Sequence, residues 1–284
     1  TVSMSLYLGP NKFYELKKYH HDLEKQIPIG WGFFLLAWIN TIAVIPIFTL
    51  FGSWGWNYGI IILILTIILK IVLFPIAFKT YKSSAKMRVL KPEIDELNKK
   101  YPKKEDAMKK QSATMDLYKK AGVNPMAGCI PLLLQMPILI AMFRFFPSSI
   151  ELRQQAFLWA KDLSSYDSIW TFPGGFTLPF YGDHVSLFAL LMTISSVIYT
   201  KINDQMMGSQ QTQMPGMKTM MYLMPVMFLF WFNDYSSGLS YYYLLANLLT
   251  FAQIYIIRAT LDEKKLHAQI EANRKKPVKK SGFQ

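Results

Sequence analysis

Apolar residues along this chain are gathered in blocks, and the charges lie between them. The cleanest block is Trp56–Phe78, twenty-three residues that carry one formal charge, Lys70. A run of about 20 such residues is enough to cross a bilayer as a helix. Four later blocks repeat the pattern: Cys129–Pro147, Val185–Thr200, Thr219–Phe232 and Leu239–Ile257. Together they predict five transmembrane helices. The Val185 and Thr219 blocks hold only 16 and 14 residues, so either the helices run past the apolar stretch or the membrane thins around them. An earlier block, Ile29–Phe51, is long enough to span, but only Gly52–Gly55 separate it from Trp56. Trp31, Trp38 and Trp54 sit at and near its ends, and Asn40 and Pro46 interrupt it. Aromatic rings favour the membrane interface, and an amphipathic helix lies in that plane. The pattern alone admits either a span or an interfacial helix.

The polar segments set the organisation. Residues 79–120 hold thirteen Lys and Arg against six acids, which places this insert on the cytoplasmic side. Apolar residues recur at Met87, Leu90, Ile94 and Leu97, with Tyr101 next, and again at Ala107, Met108, Met115 and Tyr118. Steps of three and four predict helices with one apolar stripe each. A turn at Tyr101-Pro102-Lys103 folds them into a hairpin over residues 79–125. Residues 148–184 carry four acids against Arg153 and Lys161 and fall outside; the Met- and Gln-rich loop 201–218 falls inside. The tail, 258–284, has eight Lys and Arg against three acids; it is expected in the cytoplasm and disordered after Leu266. Five spans then put the N-terminus outside and the C-terminus inside. Residues 1–28 read as the end of a soluble domain, with an alternating start that suits a strand stopped at Gly9-Pro10. The chain is expected to be a fragment lacking its N-terminal part.

Composition and charge sharpen this picture. The 284 residues are 52% hydrophobic with a net charge of +13. In a membrane protein that excess is first a topology signal and second a hint of anionic partners such as lipid head groups or ribosomal RNA. The single cysteine, Cys129, excludes a disulfide framework. No Asp, Glu or His lies in the five predicted spans. That argues against a proton-coupled carrier and against an intramembrane protease, because Ser195 and Ser196 have no base to activate them. No P-loop and no metal-ligand cluster is visible, so no enzyme, cofactor or metal is expected. What remains is Lys70 with Thr66, Gln135, Ser195, Ser196, Tyr243, Asn247 and Gln253, a set that suits a hydrated surface. A Lys within a span costs about 2.5–3.5 kcal/mol on insertion scales. Lys70 lies eight residues before Phe78, about 12 Å along the axis, and its stem covers about half of that. Snorkelling is one reading; a hydrated cavity that admits a charged ligand is the sharper one.

Several stretches resemble the YidC/Oxa1/Alb3 family of membrane protein insertases in its bacterial form. They are LYLGP at Leu6–Pro10, the run from GWNYGIIIL to the Lys70–Pro75 segment, AKMRVLKPEI at Ala85–Ile94, LYKKAGVNPMAGCIPLLLQMPI at Leu117–Ile138, ELRQQAF at Glu151–Phe157, and SSGLSYYYLLANLLTFAQ ending at Gln253. The resemblance implies an all-α membrane protein: a five-transmembrane-helix insertase core with an interfacial amphipathic helix in 29–55 and a cytoplasmic helical hairpin. It implies that a first transmembrane helix and most of a periplasmic β-sandwich domain are missing. The family carries a functional Arg five residues before the Pro of its first core span. Lys70 stands there, keeping the charge and losing the bidentate fork. Thr66 and Tyr243 match substrate-contacting positions. The basic hairpin, with Lys86, Arg88, Pro92 and Tyr101, matches a region the family needs for activity, and the basic tail matches one implicated in ribosome contact. The implied partners are nascent membrane proteins, the Sec translocon, the ribosome and the bilayer, with no small-molecule substrate. The implied location is the bacterial inner membrane, multi-pass, with the C-terminus cytoplasmic. Two rivals remain at this stage: a small-anion channel or carrier, and an assembly factor that inserts nothing.

Overall fold

The structure, a computed structural model, describes residues 7–27, 34–102, 106–124, 130–207 and 217–275. The strand expected at the start, Trp31, Lys103 of the hairpin turn, Cys129, the Met- and Gln-rich stretch 208–216 and the last nine residues lie outside the described residues. Helices dominate: α1 (Phe13–Lys17), α2 (Phe34–Ile39), α3 (Ile45–Ser53), α4 (Tyr58–Val89), α5 (Lys91–Lys100), α6 (Ala107–Ala121), α7 (Ile130–Ser148), α8 (Leu187–Met207), α9 (Met217–Asn233), α10 (Ser237–Thr260) and α11 (Glu263–Arg274). One two-stranded antiparallel ladder, β1 (Trp170–Thr171) with β2 (His184–Val185), pairs Trp170 with Val185. Among the described residues α4 is the one helix long and apolar enough by itself to cross a membrane; α10 passes the same test together with α11, across a bend of 75°.

Local chemistry fixes the helix ends. Asn57 starts α4, its Oδ1 accepting from the Gly59 amide at 2.8 Å, which satisfies one of the orphan donors of a first turn. The helix then runs well past Phe78, because residues 79–91 contain neither Gly nor Pro. It breaks at Leu90, where Pro92 has no N–H to give to the Arg88 carbonyl. Between α2 and α3 the backbone widens into a π-turn, Asn40–Val44, and Ile45 donates back to the Asn40 carbonyl. Pro46 accounts for this: it cannot donate to Ile42, and a five-residue step absorbs the gap. At the start of α8, Ser186 Oγ accepts from the Ala189 amide at 3.1 Å. The helix therefore begins after Val185, which belongs to β2, and extends to Met207 rather than Thr200.

The chain divides into two compact units. The first contains residues up to Leu69, Leu134–Ser195 and Val226–Asn247; the second contains Lys70–Leu133, Ser196–Pro225 and the rest from Leu248. The division points fall inside α4, α7, α8, α9 and α10, so each of these helices contributes a segment to both units.

In the first unit, Phe48 of α3 is buried and its ring meets Phe145 edge-on at 4.9 Å. Asn40 donates to the Ala141 carbonyl at 3.2 Å. The loop 153–186 is tied down by hydrogen bonds: Ser236 and Ser237 hydroxyls donate to the carbonyls of Leu163 and Asp162. Gly238 donates its amide to Leu163 O at 3.0 Å, and a Cβ added there would stand 2.8 Å from that oxygen. Only glycine allows the two backbones this approach.

In the second unit, Met87, Leu90, Ile94, Tyr118, Ala121, Val123 and Ile270 form one core. Tyr81, Ile254 and Ile257 form another. Three sequence expectations are corrected here. The hairpin proper is α5 and α6, since residues 79–89 prolong α4. The buried face of α6 is Thr114, Tyr118 and Ala121, while Met108 is 80% exposed. The tail is not disordered directly after Leu266: α11 continues to Arg274, burying Leu266 and Ile270. Its docking is specific, with Arg274 donating to both carboxylate oxygens of Glu93 at 2.6 and 2.7 Å. Gly122 closes α6 in the left-handed region at φ 65°, the usual role of glycine after a helix.

Candidate functional site

The second unit holds Lys70. The ammonium donates to Thr250 Oγ1 on α10 at 2.9 Å. One turn further along, Gln253 Nε2 donates to the Lys70 carbonyl at 3.0 Å. Two polar side chains of α10 therefore grip one residue of α4. An ammonium has three donors, and among the described residues Thr250 is its one side-chain partner, with no carboxylate in reach. A charge in this position normally faces a bundle interior or a water-filled cavity. Thr250 had no signal in the sequence beyond being a hydroxyl residue in an apolar run. Gln253 was visible as a polar residue, but not as a partner.

The first unit holds the other residues proposed for a groove. Asn247 Nδ2 donates to Ser195 Oγ at 3.0 Å, and that hydroxyl donates to the Met192 carbonyl at 2.8 Å. Both side chains are buried. Thr66 is 1% exposed and turns its hydroxyl back onto the Ile62 carbonyl at 2.6 Å. Gln135 is half-buried, and its Nε2 has no partner among the described residues. Tyr243 is half-buried. The structure thus brings Ser195 and Asn247 into contact and leaves Thr66 internally satisfied.

Of the hairpin residues, Lys86 and Arg88 stand on the last turns of α4. Pro92 sits in the first turn of α5, where a missing N–H costs nothing. Tyr101 caps the end of α5 with Lys100 Nζ 5.7 Å from its ring centre. Burial pushes the Tyr118 phenol of α6 up to about 12, and its oxygen has no partner among the described residues.

A second polar cluster escaped the sequence reading. Asp167, 2% exposed, accepts from the Ser186 hydroxyl, from the Leu187 and Phe188 amides, and from Trp159 Nε1 at 2.8 Å. It caps α8, where a carboxylate is favoured by the helix dipole. Asn233 is fully buried and joins three segments: its Oδ1 accepts from the Ser186 amide, and its Nδ2 donates to the Tyr181 and His184 carbonyls. His184 is buried between Asp183 Oδ1 and the Asn233 carbonyl, each 3.0 Å from a ring nitrogen. The one hint in the sequence was an Asn directly after an apolar block. This cluster locks the loop 153–186 to the end of α9.

Residues 49–265 match the sequence profile of the family described as 60Kd inner membrane protein. The chain belongs to that family. Two relatives in it are named membrane protein insertase YidC. That of Parabacteroides distasonis is 55% identical over 99% of this chain and 46% of its own length. That of Bacteroides fragilis is 52% identical over the same shares. The chain therefore spans about half the length of the curated relatives it matches. A solved structure titled as an active YidC insertase with its first transmembrane domain resolved aligns at a TM-score of 0.55 and 27% identity. It covers 86% of this chain and 53% of that one. The family fold is a helical membrane protein, and the helices described above are its elements.

Proposed function

We propose that this chain is the core of a membrane protein insertase and chaperone. It takes nascent or small membrane proteins into a hydrated, positively charged groove open to the cytoplasm. It releases them sideways into lipid, alone or with the Sec translocon. The observation that carries this reading is the Lys70 ammonium, held by one hydroxyl and by no carboxylate among the described residues. The relatives named as insertases support it.

In the proposed mechanism a short acidic tail of the substrate docks at Lys70. The attraction is stronger in a partly desolvated groove than in bulk water. Half-buried Gln135 and Tyr243 supply polar surface that keeps water in the groove and shortens the apolar distance the tail must cross, while Thr66, Ser195 and Asn247 are buried and hydrogen-bonded behind it. The substrate span then leaves for the bilayer, driven by burial of its own apolar surface at about 25 cal/mol per Å². No nucleotide is consumed by this chain. The reading extends to five spans with the C-terminus in the cytoplasm, to an interfacial helix within 29–55, and to ribosome contact through the basic hairpin and tail.

The test is insertion of a small one- or two-span protein with an acidic tail into vesicles containing this chain. Wild type is compared with Lys70→Arg, Lys70→Ala and Lys70→Glu. Arg retains activity, and Ala and Glu lose about tenfold or more, equivalent to about 1.4 kcal/mol. Equal activity of Ala and Lys would sink the electrostatic step. A small-anion carrier would instead move anions across protein-containing vesicles with no substrate present, and an assembly factor would tolerate loss of the charge.

A further inference from the structure

Within the second unit, a pocket of about 100 Å³ opens beside Tyr81, Arg88, Ile254, Ile257, Arg258 and Leu266. Its chemistry is two-sided. Tyr81, Ile254, Ile257 and Leu266 are each at most 5% exposed and make an apolar floor. Arg88 of α4 and Arg258 of α10 stand at its rim, both exposed. Among the described residues no carboxylate lines it. Asp262, the acid closest to Arg258 in sequence, is engaged in capping α11, accepting from the Lys264 amide at 2.9 Å. Among the described residues Arg258 makes no ion pair.

The position of the pocket narrows the ligand. Ile254–Ile257 ends the apolar run of α10, and Arg258 is the next residue. Tyr255 and Ile256, beside it on the same helix, are 77% and 51% exposed. Lys79 and Lys82 follow the apolar run of α4. On the reading that α4 and α10 span the bilayer, an apolar wall, an apolar exterior and the Arg258 guanidinium meet where α10 leaves the hydrocarbon. A guanidinium binds phosphate oxygens through parallel N–H donors, and basic pockets between spanning helices bind anionic head groups.

We propose that this pocket is a binding site for the phosphate of an anionic phospholipid, with Arg258 holding the phosphate and the acyl chains lying along Tyr255 and Ile256. Leu266 of α11 completes the floor, so the site forms only while α11 is docked. The same phosphate chemistry is offered by a soluble anion, and the experiment separates the two.

The full chain is purified in a mild detergent and native mass spectrometry reads the phospholipid retained. Wild type keeps phosphatidylglycerol at least about tenfold better than phosphatidylcholine, as expected for charge-assisted bonds to a phosphate. Arg258→Gln, melting at the wild-type temperature, loses that preference, while Arg258→Lys keeps most of it. Unchanged phosphatidylglycerol retention in the Gln variant overturns the proposal. Inorganic phosphate at millimolar concentration is the second arm: if it displaces the lipid or raises the melting temperature as phosphatidylglycerol does, the site belongs to a soluble anion and the lipid assignment is wrong. If the Gln variant does not fold, wild type decides alone, and equal retention of phosphatidylglycerol and phosphatidylcholine overturns the assignment.

Discussion

Lys70 and Thr250 are 180 residues apart in sequence, and the ammonium of one lies 2.9 Å from the hydroxyl of the other. The bond holds a cation in place without neutralising it. Thr250→Val keeps the shape and removes the acceptor. A hydrogen bond to a charged group contributes about 1.5–3 kcal/mol, so the variant should melt earlier by that order. Because the charge remains, insertion by the folded fraction should stay within about threefold of wild type, a change under 1 kcal/mol. Thermal melts read alongside the vesicle assay check both halves. Loss of insertion as deep as that of Lys70→Ala would show that the hydroxyl, and not the charge alone, is required.

Asn233 predicts a loop phenotype. Asn233→Ala strips the partners from the Ser186 amide and from two carbonyls, all in a buried site. Each orphaned group costs about 1–3 kcal/mol. Limited proteolysis should cut within residues 172–183 of the variant at protease levels that leave wild type intact. Equal resistance would mean that the ties through Asp167, His184 and Ser236–Gly238 hold the loop without Asn233.

Gly238→Ala should be poorly tolerated, since the new methyl meets the Leu163 carbonyl, a backbone atom that cannot swing aside. Overpacking of this kind costs about 1–3 kcal/mol. A melting temperature unchanged from wild type would show that the loop backbone yields freely.

Asp162 gives a pH dependence. Burial by itself raises its carboxyl, but the Ser164 hydroxyl and backbone amide outweigh this and hold it below the ordinary 3.8. A carboxylate lowered in the folded state stabilises at pH values above its unfolded value. That stabilisation is lost as pH falls through the lower folded value. Melting at pH 7 and pH 3 should therefore differ less in Asp162→Asn than in wild type. An equal difference would remove Asp162 from the acid response.

The hairpin core gives paired expectations. Ile270→Ala opens a cavity against Tyr118 and should cost about 2–5 kcal/mol, read as faster hydrogen exchange across α6. Tyr118→Phe removes a buried hydroxyl with no partner among the described residues, so it should slow the same exchange, by a gain of about 1 kcal/mol. Faster exchange in Tyr118→Phe would reveal an unseen partner for the phenol.

The sequence made some of this plain and hid the rest for physical reasons. Apolar blocks located α4 and α7 to α10, because helix formation and burial both register in local composition. Lys70 was conspicuous because a charge in such a block is costly. Thr250, Asp167, Asn233 and His184 each bond at least one partner 19 to 180 residues away, and no periodicity encodes a long-range hydrogen bond. Charge misled the reading of the tail. The segment 263–274 is rich in Lys and Glu, yet Leu266 and Ile270, four residues apart, are one apolar stripe that another surface covers. Met108 misled in the opposite sense, because an apolar residue on a short helix need not face inward.

Met87, at the edge of the hairpin core, and Lys70 stand on the same helix, seventeen residues and about 26 Å apart. Between them lies Pro75, which cannot donate to the Ile71 carbonyl. The segment is thus a shaft with one weakened joint. A partner that pushes the hairpin sideways applies torque to a rod whose other end carries the half-buried cation. Where the rod stays straight, Lys70 moves with the hairpin; where it gives at Pro75, the charge stays still. The position of the hairpin and that of the Lys70 charge are therefore mechanically geared through a single residue.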